Sequence, residues 1–216
     1  DRIDITGDGR SSTLLHDHTE HLLVWPGEYS CREASVRNLV ITAVRELPAE
    51  TAAIALLGGV ERSYFGHLLL NARDGARLGS GIITRKVADA TTFDDCLLWG
   101  VSGTGIEVAR GSEVRLIGGR IIGYLGGEKP YGKSCGLYLT GNNGGVHIVT
   151  TDIIALHTAV QIGDATSASN REVFLTHSTL DSCKHGLVQK DNAYTSIAGC
   201  WAASSDEEQI LREKEA

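Results

Sequence analysis

CGLYLTGNNGG, residues 135–145, sets a Gly-Leu-x-Leu step against a glycine-rich turn. Leu137 and Leu139 alternate with Tyr138, the period of two expected of a half-buried strand. The step recurs: TGIEVARG lies before it, HTAVQIGD and KHGLVQKD after it. Aligned on the apolar residue that heads each step, the series runs Leu22, Ile54, Ile82, Ile106, Leu137, Val160 and Leu187. Its intervals are 32, 28, 24, 31, 23 and 27 residues. Repeats of this length decide the architecture before any local reading does.

A second series alternates strictly with the first: Val36, Phe65, Phe93, Leu116, Ile148, Leu175 and Ile197. Each member opens a six-residue word, such as VRNLVI (36–41), FGHLLL (65–70) or LTHSTL (175–180), apolar at both ends. The third position holds Asn38, His67, Asp95, Gly118, Thr150, His177 and Gly199. All but Thr150 are types that tolerate a left-handed backbone, so each word predicts two short strands meeting at a one-residue bend.

A rung therefore has three short strands and two variable turns. No segment sustains a 3.6 period. One rung cannot bury its own inward face, but stacking at about 4.8 Å closes the backbone hydrogen bonds between rungs. Seven rungs predict a prism about 30 Å tall. The competing architecture is a β-sandwich with accidental periodicity. Residues 1–203 are expected to form the solenoid. Residues 204–216, SSDEEQILREKEA, would be a charged capping segment with Ser204 or Ser205 at a helix N-cap, or a truncated further rung. Ile210 falls 23 residues after Leu187.

The glycine-headed strands, the Asn-type bends and the opening IDITGDGRSSTLL (3–15) resemble the right-handed parallel β-helix superfamily. That group includes pectate lyases, polygalacturonases and bacteriophage tailspikes. The resemblance covers about residues 3–202 and implies an all-β, right-handed parallel β-helix. It also implies a carbohydrate-active protein that binds or cleaves a polysaccharide, as a glycoside hydrolase or lyase of tailspike type. The setting implied is extracellular, on a virion tail or cell surface, as a homotrimer. The alternative is a non-catalytic shaft or adhesin segment of an oligomeric protein, since one fold hosts many functions. The abrupt opening and the absence of methionine suggest a fragment or a processed product.

The resemblance implies that a glycan lies on the outer face of the first strand and its turns. That outward position reads Leu23, Ala55, Ile83, Glu107, Tyr138, Gln161, Val188. An acid, an aromatic and an amide on successive rungs suit a sugar chain lying along a groove. The turn 122–136 would bring Tyr124, Glu128, Lys129, Tyr131 and Lys133 to the same wall, and the turn 163–172 Asp164, Asn170 and Arg171. Hydrolysis needs two carboxyl groups about 5–9.5 Å apart, so Glu107 with Glu128 or Asp164 is the candidate pair. Glu107 would act as nucleophile or base and the loop acid as proton donor. A lyase would use Lys129 or Arg110 as base. Tyr138, Gln161, Arg110, Lys129, Tyr131 and Lys133 would contact substrate. The plainer reading leaves these as solvated charges.

Other motifs carry less. Asp94 and Asp95 resemble the paired aspartates of polygalacturonases, but the rest of that motif set is absent and Asp is favoured at a bend anyway. HDHTEH (16–21) gathers His16, His18 and His21 without an evident further zinc ligand. GDG and TGNNGG open no helix, so no phosphate loop and no cofactor is expected. A formal charge of −7 argues against a nucleic-acid surface and is compatible with a neutral or cationic ligand. No run is long and apolar enough for membrane insertion. The outward lane of the third strand, Val40, Leu69, Leu97, Arg120, Asp152, Thr179, Trp201, begins with three aliphatics that suit a sister chain or a covering turn such as 44–51. Five cysteines without a CxxC pair read as buried thiols. Cys96 and Cys200 would lie about 19 Å apart on one inward lane, and Cys135 and Cys183 about 10 Å apart in equivalent turns.

Overall fold

The computed structural model describes residues 2–28, 30–125, 132–141, 143–164, 172–190, 193–204 and 210–212. The chain is an all-β parallel solenoid, a β-helix, built on three sheets of eight strands each. Sheet 1 carries the glycine-headed strands, from Leu23–Trp25 through Thr104–Val108, Cys135–Leu139 and Thr158–Ile162 to Ile210–Arg212. Sheet 2 runs from Asp4–Thr6 to Tyr194–Ala198, and sheet 3 from Thr13–His16 to Trp201–Ser204. Among the described residues the only helical turn is a 3₁₀ turn at Gly9–Ser11.

The register is the one the repeat demands. Ile82 pairs with Ile106, Ile106 with Leu137, Leu137 with Val160 and Val160 with Leu187. Val36, Phe65, Phe93, Leu116, Ile148, Leu175 and Ile197 form the matching stack in sheet 2. Two expectations need correction. The seven-rung count is replaced by eight strands per sheet, because Asp4–Thr6 and Thr13–His16 extend the stack at one end and Ile210–Arg212 at the other. At the first aligned rung, Leu23 and not Leu22 pairs with Ile54, which turns Val24 outward in place of Leu23. Three consecutive aliphatics made the register there illegible. Burial of Trp25, two residues after Leu23, decides it.

Why Gly heads the step is now physical. The small residue sits at the corner where sheet 3 hands over to sheet 1. A Cβ on Gly105 would lie 2.5 Å from Ile121 Cγ2 and 2.6 Å from the Gly136 carbonyl oxygen. Gly81 meets Leu98 in the same way and Gly136 meets Ile153, so one inward lane of sheet 3 fills the space the glycines leave.

All seven bend residues adopt positive φ, from 44° at Asp95 to 64° at Gly118, and Thr150 joins them at 52°. A β-branched side chain there costs on the order of 1 kcal/mol. A second ladder of left-handed residues, Glu33, Arg62, Ala90, Glu113 and Gly145, was not anticipated. It follows short extra strands at Ser30–Arg32, Gly59–Glu61, Ala88–Asp89, Gly111–Ser112 and Asn143–Gly144, which turn the chain from sheet 1 into sheet 2.

The interior is one continuous cluster that includes Phe65 stacked on Phe93, ring centroids 5.5 Å apart. Each fully buried Leu, Ile or Phe contributes roughly 1.5–3 kcal/mol relative to exposure. All five cysteines are free thiols. Cys135 and Cys183 are not equivalent: Cys135 pairs with Thr158 in sheet 1, whereas Cys183 ends a sheet 3 strand opposite Ser204.

Candidate functional site

Sheet 1 places Glu107, Tyr138 and Gln161 directly over one another, with Glu107 paired to Tyr138 and Tyr138 to Gln161. Their surroundings differ. Glu107 is only 7% exposed, and the Arg85 guanidinium donates to its carboxylate. Burial pushes the Glu107 pKa up; Arg85 opposes that without cancelling it. Arg85 was not anticipated. Its signal was legible in retrospect, because Ile83 pairs with Glu107 and a residue two further on shares that face, diagonal to the acid.

Tyr138 is half-buried. Its hydroxyl donates to Asp164 Oδ2 at 3.1 Å, and Thr140 Oγ1 donates to the same oxygen at 2.8 Å. Burial first, then the bond to Asp164, pushes the Tyr138 phenol up to about 12. It therefore stays a neutral donor at ordinary pH. Glu107, Tyr138 and Asp164 are thus gathered on one face, with the tyrosine bridging to the loop acid.

Beyond Tyr138 the same face opens into a groove of about 300 Å³. Gln161 and Val188 of sheet 1 line it together with Lys133, Lys190, His157 and His185. The two imidazoles lie on successive rungs, edge to face, with ring centroids 5.3 Å apart. His157 also meets Thr158 Oγ1 at 3.1 Å, and Gln161 Nε2 donates to the Gly163 carbonyl at 3.2 Å. Cys135 lines the groove too; burial pushes its thiol up to about 12, so it stays neutral.

The remaining candidates fall as follows. Arg110 is exposed in the turn after Val108, where its backbone bridges to Val87. Tyr124 lies under the Arg77 guanidinium, 4.8 Å from the ring centroid, at the corner between sheets 3 and 1 and not among the groove residues. Glu128, Lys129, Tyr131, Asn170 and Arg171 lie outside the described residues. Asp94 and Asp95 diverge: Asp94 accepts from Tyr64 Oη at 2.7 Å, while Asp95 sits in the bend 3.4 Å from His67. His16 Nε2 meets the Glu20 carbonyl at 2.7 Å, and His21 Nδ1 accepts the Ala52 amide at 3.0 Å. Burial lowers the pKa of both histidines. Among the described residues, no group of three His, Cys, Asp or Glu is placed to hold a metal.

On sheet 3 the lane of Val40, Leu69 and Leu97 is stacked as expected, followed by Arg120 and Asp152 in an ion pair of 3.0 Å. The turn 44–51 does not lie over that lane. Its Ala49 carbonyl accepts from Ser80 Oγ at 2.6 Å and its Leu47 enters the core, which fastens it to the corner before sheet 1.

Fold and face together define a parallel β-solenoid with a polar lane and an open groove on one sheet. No protein-family model, no curated protein and no solved structure matches the chain.

Proposed function

We propose that this β-helix is a carbohydrate-active protein that recognises a polysaccharide along the outer face of sheet 1. The observation that carries the reading is the groove beside Gln161, with the half-exposed Tyr138 one rung away on the same outward lane. A neutral tyrosine edge, an amide and imidazoles at the ~4.8 Å rung spacing match the alternating apolar and hydroxyl surfaces of a sugar chain. Binding is favoured over cleavage by the state of Glu107, whose carboxylate is buried and taken by Arg85. If cleavage does occur, a raised pKa suits Glu107 as proton donor, with Asp164 the partner carboxylate. The setting that fits is the extracellular surface of a virion or cell.

The test is a panel of neutral and acidic polysaccharides, scored for binding and for chain shortening, with Tyr138→Ala and Glu107→Gln alongside wild type. The expected result is binding that Tyr138→Ala weakens roughly tenfold, the scale of one lost aromatic contact. Equal cleavage by wild type and Glu107→Gln would remove Glu107 from any catalytic role. Absence of binding across the panel would overturn the reading.

A second reading, a shaft assembled as a homotrimer, is favoured by sheet 3. Leu69 and Leu97 are half-buried there, and Trp99 and Trp201 are 46% and 57% exposed. Light scattering tests it: a monomer at micromolar concentration rules it out.

A further inference from the structure

The turn 17–22 carries the chain from the sheet 3 strand Thr13–His16 to the sheet 1 strand Leu23–Trp25, and two imidazoles fasten it. His16 is fully buried, and its Nε2 lies 2.7 Å from the Glu20 carbonyl oxygen. A carbonyl only accepts, so that nitrogen carries the proton. The other ring nitrogen of His16, Nδ1, is buried with no hydrogen-bond partner. His21 has the converse contact: its Nδ1 accepts the Ala52 amide at 3.0 Å. An amide only donates, so Nδ1 bears no proton and Nε2 carries the hydrogen of the ring. Backbone groups of fixed polarity thus hold both rings in the same neutral tautomer.

A second proton is incompatible with both contacts. On His21 it sets one N–H against another and breaks the bond to Ala52. On His16 it buries a charged donor with nothing to receive it. Burial is the largest influence on the two rings and lowers the pKa of each. Around His16, the Glu20 carbonyl and Asp17 oppose that lowering, while His18 and His21 add to it. The His18 ring stands edge to face with His16, centroids 4.9 Å apart. The neighbouring rung brings Ala43 beside His16, and then Arg45, whose guanidinium donates to the Asp17 carbonyl. Arg85, itself paired with Glu107, lowers the His21 pKa further. Glu20 and Glu50 line a cavity of about 410 Å³ beside His21 and attract an imidazolium that has left Ala52.

The turn is otherwise tied to the next rung by Thr51 Oγ1 donating to the Thr19 carbonyl and by the Leu22 amide donating to the Ala52 carbonyl at 3.2 Å. Among the described strands, Leu23–Trp25 pairs with Ala52–Leu56 alone. A segment held along one edge opens at lower free energy than the core of the stack.

We infer that the turn 17–22 is an acid-released latch: His16 and His21 are neutral while it is closed, and their protonation frees the turn and Leu23–Trp25 from the rung of Ala52–Leu56 while the rest of the stack stays closed. Release bares the Ala52 amide and one edge of sheet 1. The sign with pH follows from the lowered values. The imidazoles favour the closed turn fully above the ordinary histidine pKa of ~6.5, and that contribution is lost as pH falls through their lowered values. The device is independent of what sheet 1 binds.

The experiment is hydrogen–deuterium exchange of the full chain at pH 7.5 and pH 5.5, read as protection factors so that the intrinsic pH dependence of exchange cancels. It is run on wild type, on His16→Gln/His21→Asn, and on His67→Asn, an exposed bend residue, as a remote control. Gln keeps a donor near the Nε2 position and Asn an acceptor near the Nδ1 position, and neither titrates. In wild type, protection of residues 17–25 is expected to fall ~10-fold or more on acidification, the amount one imidazole supplies when only the open form takes up its proton. Arg115–Ile117 and Glu172–Thr176 are expected to lose under ~2-fold, the double variant to hold residues 17–25 within ~2-fold, and His67→Asn to follow wild type. Unchanged protection in wild type overturns the latch, as does an equal fall in the double variant or the absence of a fall in His67→Asn. A loss of the same size in Arg115–Ile117 and Glu172–Thr176 means that the molecule opens as a whole, which also overturns it. Should the double variant fail to close at pH 7.5, the imidazole ¹⁵N spectra of wild type decide. Two Nε2–H tautomers at pH 7.5 that take up a proton as residues 17–25 lose protection support the latch; an Nδ1–H tautomer or an imidazolium at either ring in the closed turn overturns it.

Discussion

The outer face of sheet 1 changes character halfway along the stack. Ala55 and Ile83 are fully covered, and with Ala52 they form a small apolar cluster under Leu57, outside the main core. Glu107 closes this covered half, buried with Arg85 over it. One rung further, Tyr138 and then Gln161 stand half-exposed, with the groove beside Gln161. The backbone position is identical in every rung, so β-structure does not make the difference. What packs on it does: Leu57 lies against Ala55 and Ile83, and Arg85 against Glu107. A solenoid thus gives one sheet a covered stretch and an open stretch by changing only its loops.

The contrast is broken most directly by placing the same charge in both halves. Ile83→Asp should cost at least ~4 kcal/mol in urea unfolding, because Ile83 is 1% exposed and a buried unpaired carboxylate joins a lost aliphatic contact. Gln161→Asp, on the same face two rungs away from Glu107, should change stability by under ~1 kcal/mol. Equal costs would mean that the two halves are equally covered.

A smaller effect sharpens the boundary at Glu107. Arg85→Ala leaves a buried carboxylate unpaired and should cost about 1–3 kcal/mol at pH 7. The sign with pH follows from the raised Glu107 pKa. An acid that holds its proton longer in the native state stabilises the fold below its ordinary pKa. That contribution is lost as pH rises through the raised value. The Arg85→Ala deficit should therefore shrink as pH falls toward the ordinary glutamate range, and Glu107→Gln should remove this dependence. Unfolding curves at several pH values read both; a deficit constant with pH would place the cost elsewhere than on Glu107.

The smallest effect lies off this face. Thr150→Gly relieves a positive φ at an exposed bend and should raise stability by ~0.5 kcal/mol. A loss instead would show that the Thr150 Oγ1 bond to the Val149 carbonyl at 2.8 Å outweighs the strain.

Most of the architecture was legible because each rung repeats the same side-chain demands. Leu137 stacks between Ile106 and Val160 where the alignment put it, and Thr150 obeys the bend although its residue type argues against it. Legibility failed where the pattern was degenerate, at Leu22-Leu23-Val24, and where units were too short to show a period, as with Ser30–Arg32 and its equivalents. In the site, Glu107, Tyr138 and Gln161 were legible as a lane. Arg85 was legible only as a diagonal neighbour of Glu107 once the register was known, and His157 and His185 were not legible, since both belong to the margin of a strand and carry no periodic signal.

By itself the amino-acid order determined the coil and its phase. Alternating apolar residues, corner glycines and left-handed bends are local requirements that each rung meets alone. Only the folded stack decided the electrostatics. Whether an outward residue meets solvent, a cation or a covering turn depends on chain segments 22 to 32 residues away, as for Glu107 with Arg85 and for Thr51 with Thr19 and Ser80 with Ala49. Those segments converge only when the turns pack.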